Sequence, residues 1–331
     1  DSTESMMMSS EAKNKILVIG DIMLDRYIIG RANRLCPEAP VPILTVDETQ
    51  YFLGGAANVA ANIRNIGGQV FLAGVVGKDE EGDMIRRMLK AKDISLVLGM
   101  DATRPTTVKK RIGTSEQLIV RLDRELCKDI SPGIFHDILK VVTVLSDDLK
   151  LVTVSDYGKG VVTEDLMAAI IEISKLKKIP VFVDPKGINY KKYAGANVIK
   201  PNFAALEGLY GGEIDSLQAL EDAVSMVFTI TGCDTCIVTW ESNGALLFNS
   251  PNDWIHFPCE ARSNASYFSG AGDVFLAGLS MGVSMNLPLT TSCKIANQLA
   301  AGIVGGIGTM NANCKDWLQL VDNAFISREM I

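Results

Sequence analysis

At 331 residues the chain can bury the core of one large α/β domain, and its 47% hydrophobic and 21% charged residues exclude a disordered or fibrous polypeptide. A formal net charge of −7 leaves no global basic field for a nucleic-acid backbone or an anionic membrane, so neither is an expected partner. Any bound anion has to be held by local groups.

Residues 1–14 are polar and acidic with three consecutive methionines, lack the basic and apolar regions of a secretory signal, and are read as a disordered leader. Lys15 to Ile19 (KILVI) is an apolar run of strand length followed by Gly20-Asp21, the kind of edge where an α/β sheet presents polar groups to a ligand. Val41 to Val46 and Thr106 to Asp123 instead alternate polar and apolar residues, which predicts antiparallel strands with one wet face, with a turn at Gly113-Thr114-Ser115. These are expected to form a small separate sheet able to cover a pocket.

Helical spacing is found over Gly55 to Ile66, Asp79 to Ala91 and Pro132 to Leu145, with a strand at Val70 to Val76. Leu151 to Ser155, Pro180 to Asp184 and Asn197 to Lys200 are short β-rich runs, each followed by a turn and helix-like sequence. Strand, turn and helix in repetition imply parallel βαβ units with helices on both faces, and ligands at the carboxyl ends of the strands. The apolar stretch Val274 to Ile307 is interrupted by Asn286, Pro288, Lys294 and Asn297, so it predicts two buried helices rather than a membrane span. Seven scattered cysteines fit free thiols in a reducing, cytoplasmic compartment, and Cys233-Asp-Thr-Cys236, running straight into a strand-like segment, is read as two core or strand-edge thiols.

Ser269-Gly270-Ala271-Gly272-Asp273 precedes an apolar helix. Small residues let the chain approach a ligand, and the unpaired N–H groups of a helix's first turn attract an anion. Asp273 is therefore either a cap or a catalytic acid-base group. Gly54-Gly55-Ala56-Ala57-Asn58 opens another helix, with Asn58 one turn in, and Asp21 and Asp25 supply carboxylates near the first strand's end. A neutral polyol needs many directional hydrogen bonds, which such groups provide, although each alone also suits a solvated or capping role. Three further strand ends carry charge: Ser155 to Gly160 with Asp156 and Lys159, Asp184-Pro185-Lys186-Gly187, and Lys200-Pro201-Asn202. They mark either one ligand edge or a set of structural ion pairs.

With these residues in hand, the segments Gly20 to Tyr27, Pro37 to Pro42 (PEAPVP), Gly54 to Ala60, Gln117 to Asp123, Ser155 to Gly160 and Asp184 to Gly187 (DPKG) resemble the ribokinase (PfkB-type) carbohydrate kinase family. The PEAPVP and DPKG segments resemble most its branch acting on D-glycero-β-D-manno-heptose 7-phosphate in lipopolysaccharide-core precursor synthesis. In the more familiar bifunctional form a nucleotidyltransferase domain follows; with the sequence ending at residue 331, only the kinase step is expected.

The resemblance implies a single domain over 15–331 built as a doubly wound, mostly parallel sheet, with a β-sheet lid drawn from about 26–53 and 104–124 that doubles as a homodimer surface. It implies ATP with Mg²⁺, and K⁺ as a further candidate cation. Asp273 becomes the general base, and the N–H groups of Gly270, Ala271 and Gly272 hold the transferring phosphoryl group. Asp25, Gly55, Asn58 and Asp184 become candidates for the sugar hydroxyls, with Asp21, Gly54, Gln117 and Asp156 on the same substrate side. Lys109, Arg111, Arg121 and Lys186 become candidates for the sugar's own phosphate, against the plainer reading of a solvated strand face. Lys200, Asn202, Thr239, Gly244, Ser269 and Asn297 fall on the nucleotide side, and Glu207 is the candidate near Mg²⁺.

The chain departs from the family pattern on that nucleotide side. The Asn-x-x-Glu expected at Asn202 meets Ala205, with Glu207 the nearest glutamate; an acidic position is Tyr267; and a Thr-Arg pair is Thr239-Trp240. An aromatic ring cannot supply the missing charge. Two alternatives to an active heptose 7-phosphate kinase follow: the same chemistry on another sugar phosphate or a nucleoside, or a catalytically weak relative that acts by binding. Hydrolase and dinucleotide-binding readings fail, since His136 and His256 sit in no nucleophile-base pattern, Ser269 lacks Gly-x-Ser-x-Gly surroundings, and no Gly-x-Gly-x-x-Gly follows the first strand.

Overall fold

The first strand, β1 (Lys15–Gly20), shows why the main sheet is buried on both faces. Ile16 and Val18 enter one hydrophobic layer while Leu17 and Ile19 enter the other, all fully buried. Successive side chains of a strand point to opposite faces, so an unbroken apolar run is what a strand covered on both sides requires. The computed structural model describes residues 15–259, 268–302, 308–309 and 311–329; the expected leader and Tyr267 lie outside the described residues.

After β1 come β2 (Ile22–Leu35), β3 (Pro42–Gly55), α1 (Ala56–Asn65), β4 (Gln69–Gly77), α2 (Glu80–Ala91) and β5 (Ser95–Asp101). The chain continues through β6 (Thr107–Gly113), β7 (Leu118–Arg124), α3 (Pro132–Leu145), β8 (Leu149–Ser155), α4 (Glu164–Lys177), β9 (Val181–Asp184) and β10 (Val198–Ile199). There follow α5 (Phe203–Tyr210), α6 (Leu217–Thr231), β11 (Thr235–Thr239), β12 (Ala245–Ser250), β13 (Asp253–Phe257) and β14 (Phe268–Ser269). The last described elements are α7 (Ala271–Ser284), α8 (Leu289–Gly302), β15 (Gly308–Thr309) and α9 (Cys314–Glu329).

Among the described residues the main sheet has nine strands in the order β13-β12-β11-β10-β9-β8-β1-β4-β5. It is parallel from β11 to β5, with β12 and β13 added antiparallel at one edge. Helices α1, α2, α7, α8 and α9 contribute to one hydrophobic layer, and α3, α4 and α6 to the other. The chain winds outward from β1 through β4 to β5, then returns to the opposite side of β1 at β8. That reversal puts a crevice outside the carboxyl ends of β1 and β8, the place where open α/β sheets bind ligands.

A second sheet has the order β3-β2-β6-β7. β2 leaves the main sheet through Asp21, and β3 returns to open α1 at Gly55. The expected antiparallel pairing holds only within the hairpins of this sheet. The hairpins β2/β3 and β6/β7 are antiparallel, but β2 and β6 pair in parallel from Met23↔Thr107 to Ile29↔Gly113. Both are outgoing arms of hairpins that leave the main body side by side. Alternating polarity reports a wet face and carries no information about the direction of the neighbouring strand.

Candidate functional site

Helix α7 begins differently from most helices here. Side chains of Asp79, Ser131, Thr163, Asn202 and Ser216 cap α2, α3, α4, α5 and α6 by accepting a backbone N–H, whereas α7 and α1 start at glycines with no side-chain cap. Gly270, at φ 99°, turns the chain into α7 in the left-handed region. Gly55 does the same for α1 at φ 59°, and a Cβ there would lie 2.3 Å from the Asp21 carbonyl oxygen. The first-turn N–H groups of α7 are left for a ligand, with the positive end of the helix dipole behind them.

Asp273 lies in that first turn, 3% exposed. Its Oδ2 accepts from Asn58 Nδ2 at 2.8 Å, and its Oδ1 accepts from the Tyr157 hydroxyl at 2.8 Å. Burial pushes its carboxyl up to about 7; the two donors pull the other way, and the carboxylates of Asp184 and Asp25 add to the rise. Burial also holds the Tyr157 phenol well above its ordinary range, so it stays a donor. A buried carboxylate that changes charge near neutral pH is suited to accept a proton during turnover.

Beside Asp273 opens a cleft of about 340 Å³, floored by the ends of β8 to β11 and walled by the starts of α5 and α7 and by α8. Lys200, 1% exposed, pairs with Asp184 across 2.9 Å. Burial raises the Asp184 carboxyl, while Lys200 and Lys186 act against that rise. A Cβ on Gly272 would sit 3.9 Å from Lys200 Nζ, so the ammonium flanks the open amides of α7. Gly270, Ala271, Gly272, Asn202, Thr239, Gly244 and Asn297 all line this cleft. Thr239 forms a β-bridge with Asn202, and Asn297 donates to the carbonyls of Phe257 and Pro258, which fixes this wall. Ser269 Oγ lies 3.0 Å from the Tyr27 hydroxyl, tying the α7 entry to β2.

On the lid side Asp25 is 4% exposed and ion-paired with Arg111, whose guanidinium lies 5.1 Å over the Tyr27 ring. Gly54 makes room for Asp25: a Cβ there would stand 2.7 Å from its Oδ2. Lys109 pairs with Asp123 and Glu125, and Arg121 holds Asp123 through two nitrogens. Lys186 is exposed on the cleft rim. Gln117 sits in the exposed β6–β7 turn, outside the cleft lining.

Besides the ion-paired groups already described, three more of the expected ligand residues are engaged by the protein itself. Asp21, 1% exposed, accepts the N–H groups of Tyr157, Lys159 and Val161, so it shapes the turn after β8 instead of offering oxygens to a sugar. Asp156 accepts from Gly158 N, Tyr193 Oη and Lys192 Nζ. Glu207 accepts from Ile214 N at 3.2 Å in the α5–α6 connection and is not in the cleft lining. Two positions along α5 from Ala205 amount to about 200° of rotation, which turns Glu207 away from the side where a residue at 205 points. Trp240 stacks flat on Phe203, ring centroids 4.5 Å apart at 8°. Among the described residues no group of three or more His, Cys, Asp or Glu side chains could hold a metal ion.

Sequence alone gives no role to Tyr157 or to Asn62, which is buried in α1 and hydrogen-bonded to Asn58. Tyr157 stands in a segment marked in sequence by its charges; nothing in spacing says that its hydroxyl reaches Asp273, because the two meet only through the fold.

Residues 13–316 match the family described as pfkB family carbohydrate kinase. The chain is 37% identical over 303 residues to the bifunctional protein HldE of Syntrophotalea carbinolica, and 35% identical over 317 residues to that of Helicobacter hepaticus. These alignments cover 91% and 95% of this chain but 62% and 65% of the relatives, so the chain spans less than two thirds of their length. Among solved structures, phosphofructokinase-2 from Escherichia coli in complex with substrates and products superposes with a TM-score of 0.77 at 16% identity, covering 94% of this chain and 99% of that one. Arabidopsis thaliana ribokinase complexed with ribose and ATP superposes with a TM-score of 0.71 at 18% identity, covering 93% and 98%. At these identities the superpositions establish the fold.

Proposed function

Since the chain belongs to the pfkB family of carbohydrate kinases, we propose that it transfers the γ-phosphoryl group of ATP to the anomeric hydroxyl of D-glycero-D-manno-heptose 7-phosphate, giving the 1,7-bisphosphate and ADP. The observation that carries this reading is Asp273: a buried carboxylate, held by two donors, beside uncapped helix amides and a buried lysine.

Asp273 takes the proton of the anomeric hydroxyl as its oxygen attacks the γ-phosphorus and the bond to the β-phosphate oxygen breaks; the proton later leaves to solvent. The amides of Gly270 to Gly272 and the ammonium of Lys200 hold the negative charge of the transferring group. Asn202, Thr239, Gly244 and Asn297 form the wall that would hold the nucleotide, in keeping with the ATP bound to the similar ribokinase. The donor set fits ATP with Mg²⁺ only if the ion is carried by phosphate oxygens and water, because the described residues offer no cluster of ligating side chains. When bound, Mg²⁺ would draw charge from those oxygens.

Asp25 and the backbone at Gly54-Gly55 face the sugar, while Arg111 and Lys186 await its phosphate; Asn58, expected among the sugar ligands, instead holds Asp273. The choice of heptose as acceptor is supported by the resemblance of the Pro37 to Pro42 and Asp184 to Gly187 segments to that branch of the family and by the HldE relatives. A homodimer through the second sheet and a cytoplasmic location belong to the same reading. No helix among the described residues is long and apolar enough to cross a membrane.

The test supplies ATP, Mg²⁺ and a panel of sugar phosphates and nucleosides, and follows phosphoryl transfer by ³¹P NMR. Heptose 7-phosphate should be consumed, and Asp273→Asn should slow it by about 10²–10⁴-fold. Turnover of a different acceptor would replace the heptose assignment but keep the kinase. Binding of ATP and sugar phosphate without any turnover would favour the binding-only relative suggested by Ala205 and Trp240.

A further inference from the structure

A run of buried side-chain amides leads away from Asp273. Asn62, fully buried one turn along α1 from Asn58, accepts the Ala312 backbone N–H on its Oδ1 at 2.6 Å. Its Nδ2 donates to Asn58 Oδ1 at 2.9 Å and to the Asn58 carbonyl at 2.9 Å. Asn58 Nδ2 then donates to Asp273 Oδ2.

The polarity of this run is set at its far end. A backbone N–H can only donate, so the oxygen of Asn62 must face Ala312, and its NH₂ must face Asn58. The oxygen of Asn58 is thereby occupied, and its NH₂ is directed at the carboxylate. Rotating either amide by half a turn would set oxygen against oxygen and donor against donor, in a site where unmet polar groups are costly.

From this geometry we infer that Asn62 is a positioning residue for Asp273: it fixes which way the Asn58 amide points and so keeps a donor on the charged form of the carboxylate. The inference rests on the reading of Asp273 as the base, but its direct test does not require turnover. Asn62 does not touch the cleft. Its effect passes through Asn58, and it links the base to the segment that enters α9.

The charged and titratable groups around Asp273 are Tyr157 from the turn after β8, Asp184 from the end of β9, Asp25 from β2, and Lys200 paired with Asp184; α1 presents uncharged amides. Asn62 changes none of these charges. A shift in Asp273 titration on altering Asn62 therefore reports the amide run.

In uniformly ¹⁵N-labelled wild-type protein, the side-chain NH₂ signals of Asn58 and Asn62 should titrate together with one midpoint near the value of about 7 at which Asp273 changes charge, and both should become flat in Asp273→Asn. In Asn62→Leu the Asn58 amide loses its fixed polarity, and the midpoint should rise by about one pH unit. The acid limb of kcat should move by the same amount, with the rate recovered at high pH. A flat Asn62 signal beside a titrating Asn58, or an unchanged midpoint in a folded Asn62→Leu or Asn62→Ala, would overturn the inference. A purely structural role would lower the melting temperature and leave the midpoint in place. If Asn62→Leu does not fold, Asn62→Ala and the wild-type titration decide, and they do so even in a chain that fails to phosphorylate heptose.

Discussion

The Tyr157 hydroxyl donates to Oδ1 of Asp273 across 2.8 Å, joining the turn after β8 to the first turn of α7. That turn is in turn held by Asp21, which accepts the Tyr157 backbone N–H at 2.8 Å. One residue thus receives a carboxylate on its backbone and delivers a proton donor to another. The turn after β8 is thereby anchored both to the end of β1 and to α7, and the two oxygens of Asp273 are held from two directions, by Tyr157 and Asn58.

Tyr157→Phe removes a donor that favours the charged carboxylate. The Asp273 pKa should rise above about 7, since the Tyr157 bond is one of the two influences that lower it. A hydrogen bond to a charged group contributes about 1.5–3 kcal/mol, or roughly one to two pH units. The acid limb of the kcat profile should move to higher pH by that amount, with most of the rate recovered at alkaline pH. A profile identical to wild type would show that Tyr157 does not control the titration of Asp273.

Much of this arrangement was legible from residues alone. The continuous apolar run of KILVI signals a strand covered on both faces, and glycine clusters before apolar helices signal helix starts without side-chain caps. The strand-end charges Asp184 and Lys200 do meet at one cleft. Carboxylates were harder, because sequence gives their place but not their partners. Asp21 and Asp156 stand where expected, yet backbone N–H groups, a tyrosine and a lysine occupy their oxygens. The same holds for Lys109 and Arg121, whose charges are met by Asp123 on β7 and, for Lys109, also by Glu125 just after it. Strand direction in the second sheet was also hidden, since β2 and β6 are far apart in sequence and alternation is blind to their relative sense.

The second sheet makes its own prediction. Leu118, Val120 and Leu122 alternate along β7, so they share one face, and they are 39%, 41% and 50% exposed. An apolar stripe of this kind on an edge strand is a candidate for burial against a second copy. Val120→Glu would place a charge in that contact, and sedimentation should show at least a tenfold weaker self-association, about 1.4 kcal/mol. A chain that sediments as a monomer in both forms would remove the homodimer from the functional reading.

Asp273 also predicts how stability depends on pH. Its proton is bound more tightly in the folded chain, where the carboxyl is pushed up to about 7, than in the unfolded chain, where the ordinary value is 3.8. Such a raised carboxylate destabilises the fold progressively as pH climbs from the unfolded value to the folded one, and by a constant amount above it. A difference of about three units corresponds to about 4 kcal/mol by linkage. Asp273→Asn removes the titration. Its amide keeps one oxygen for Tyr157 but sets an NH₂ against Asn58, a loss of about 1–3 kcal/mol that does not vary with pH. The stability of the variant minus that of wild type should therefore increase between about pH 4 and pH 7 and level off above, whatever its absolute sign. Denaturant midpoints measured across that range give the slope directly. A difference independent of pH would mean that Asp273 titrates at an ordinary carboxylate value, and that it enters turnover already ionised at neutral pH.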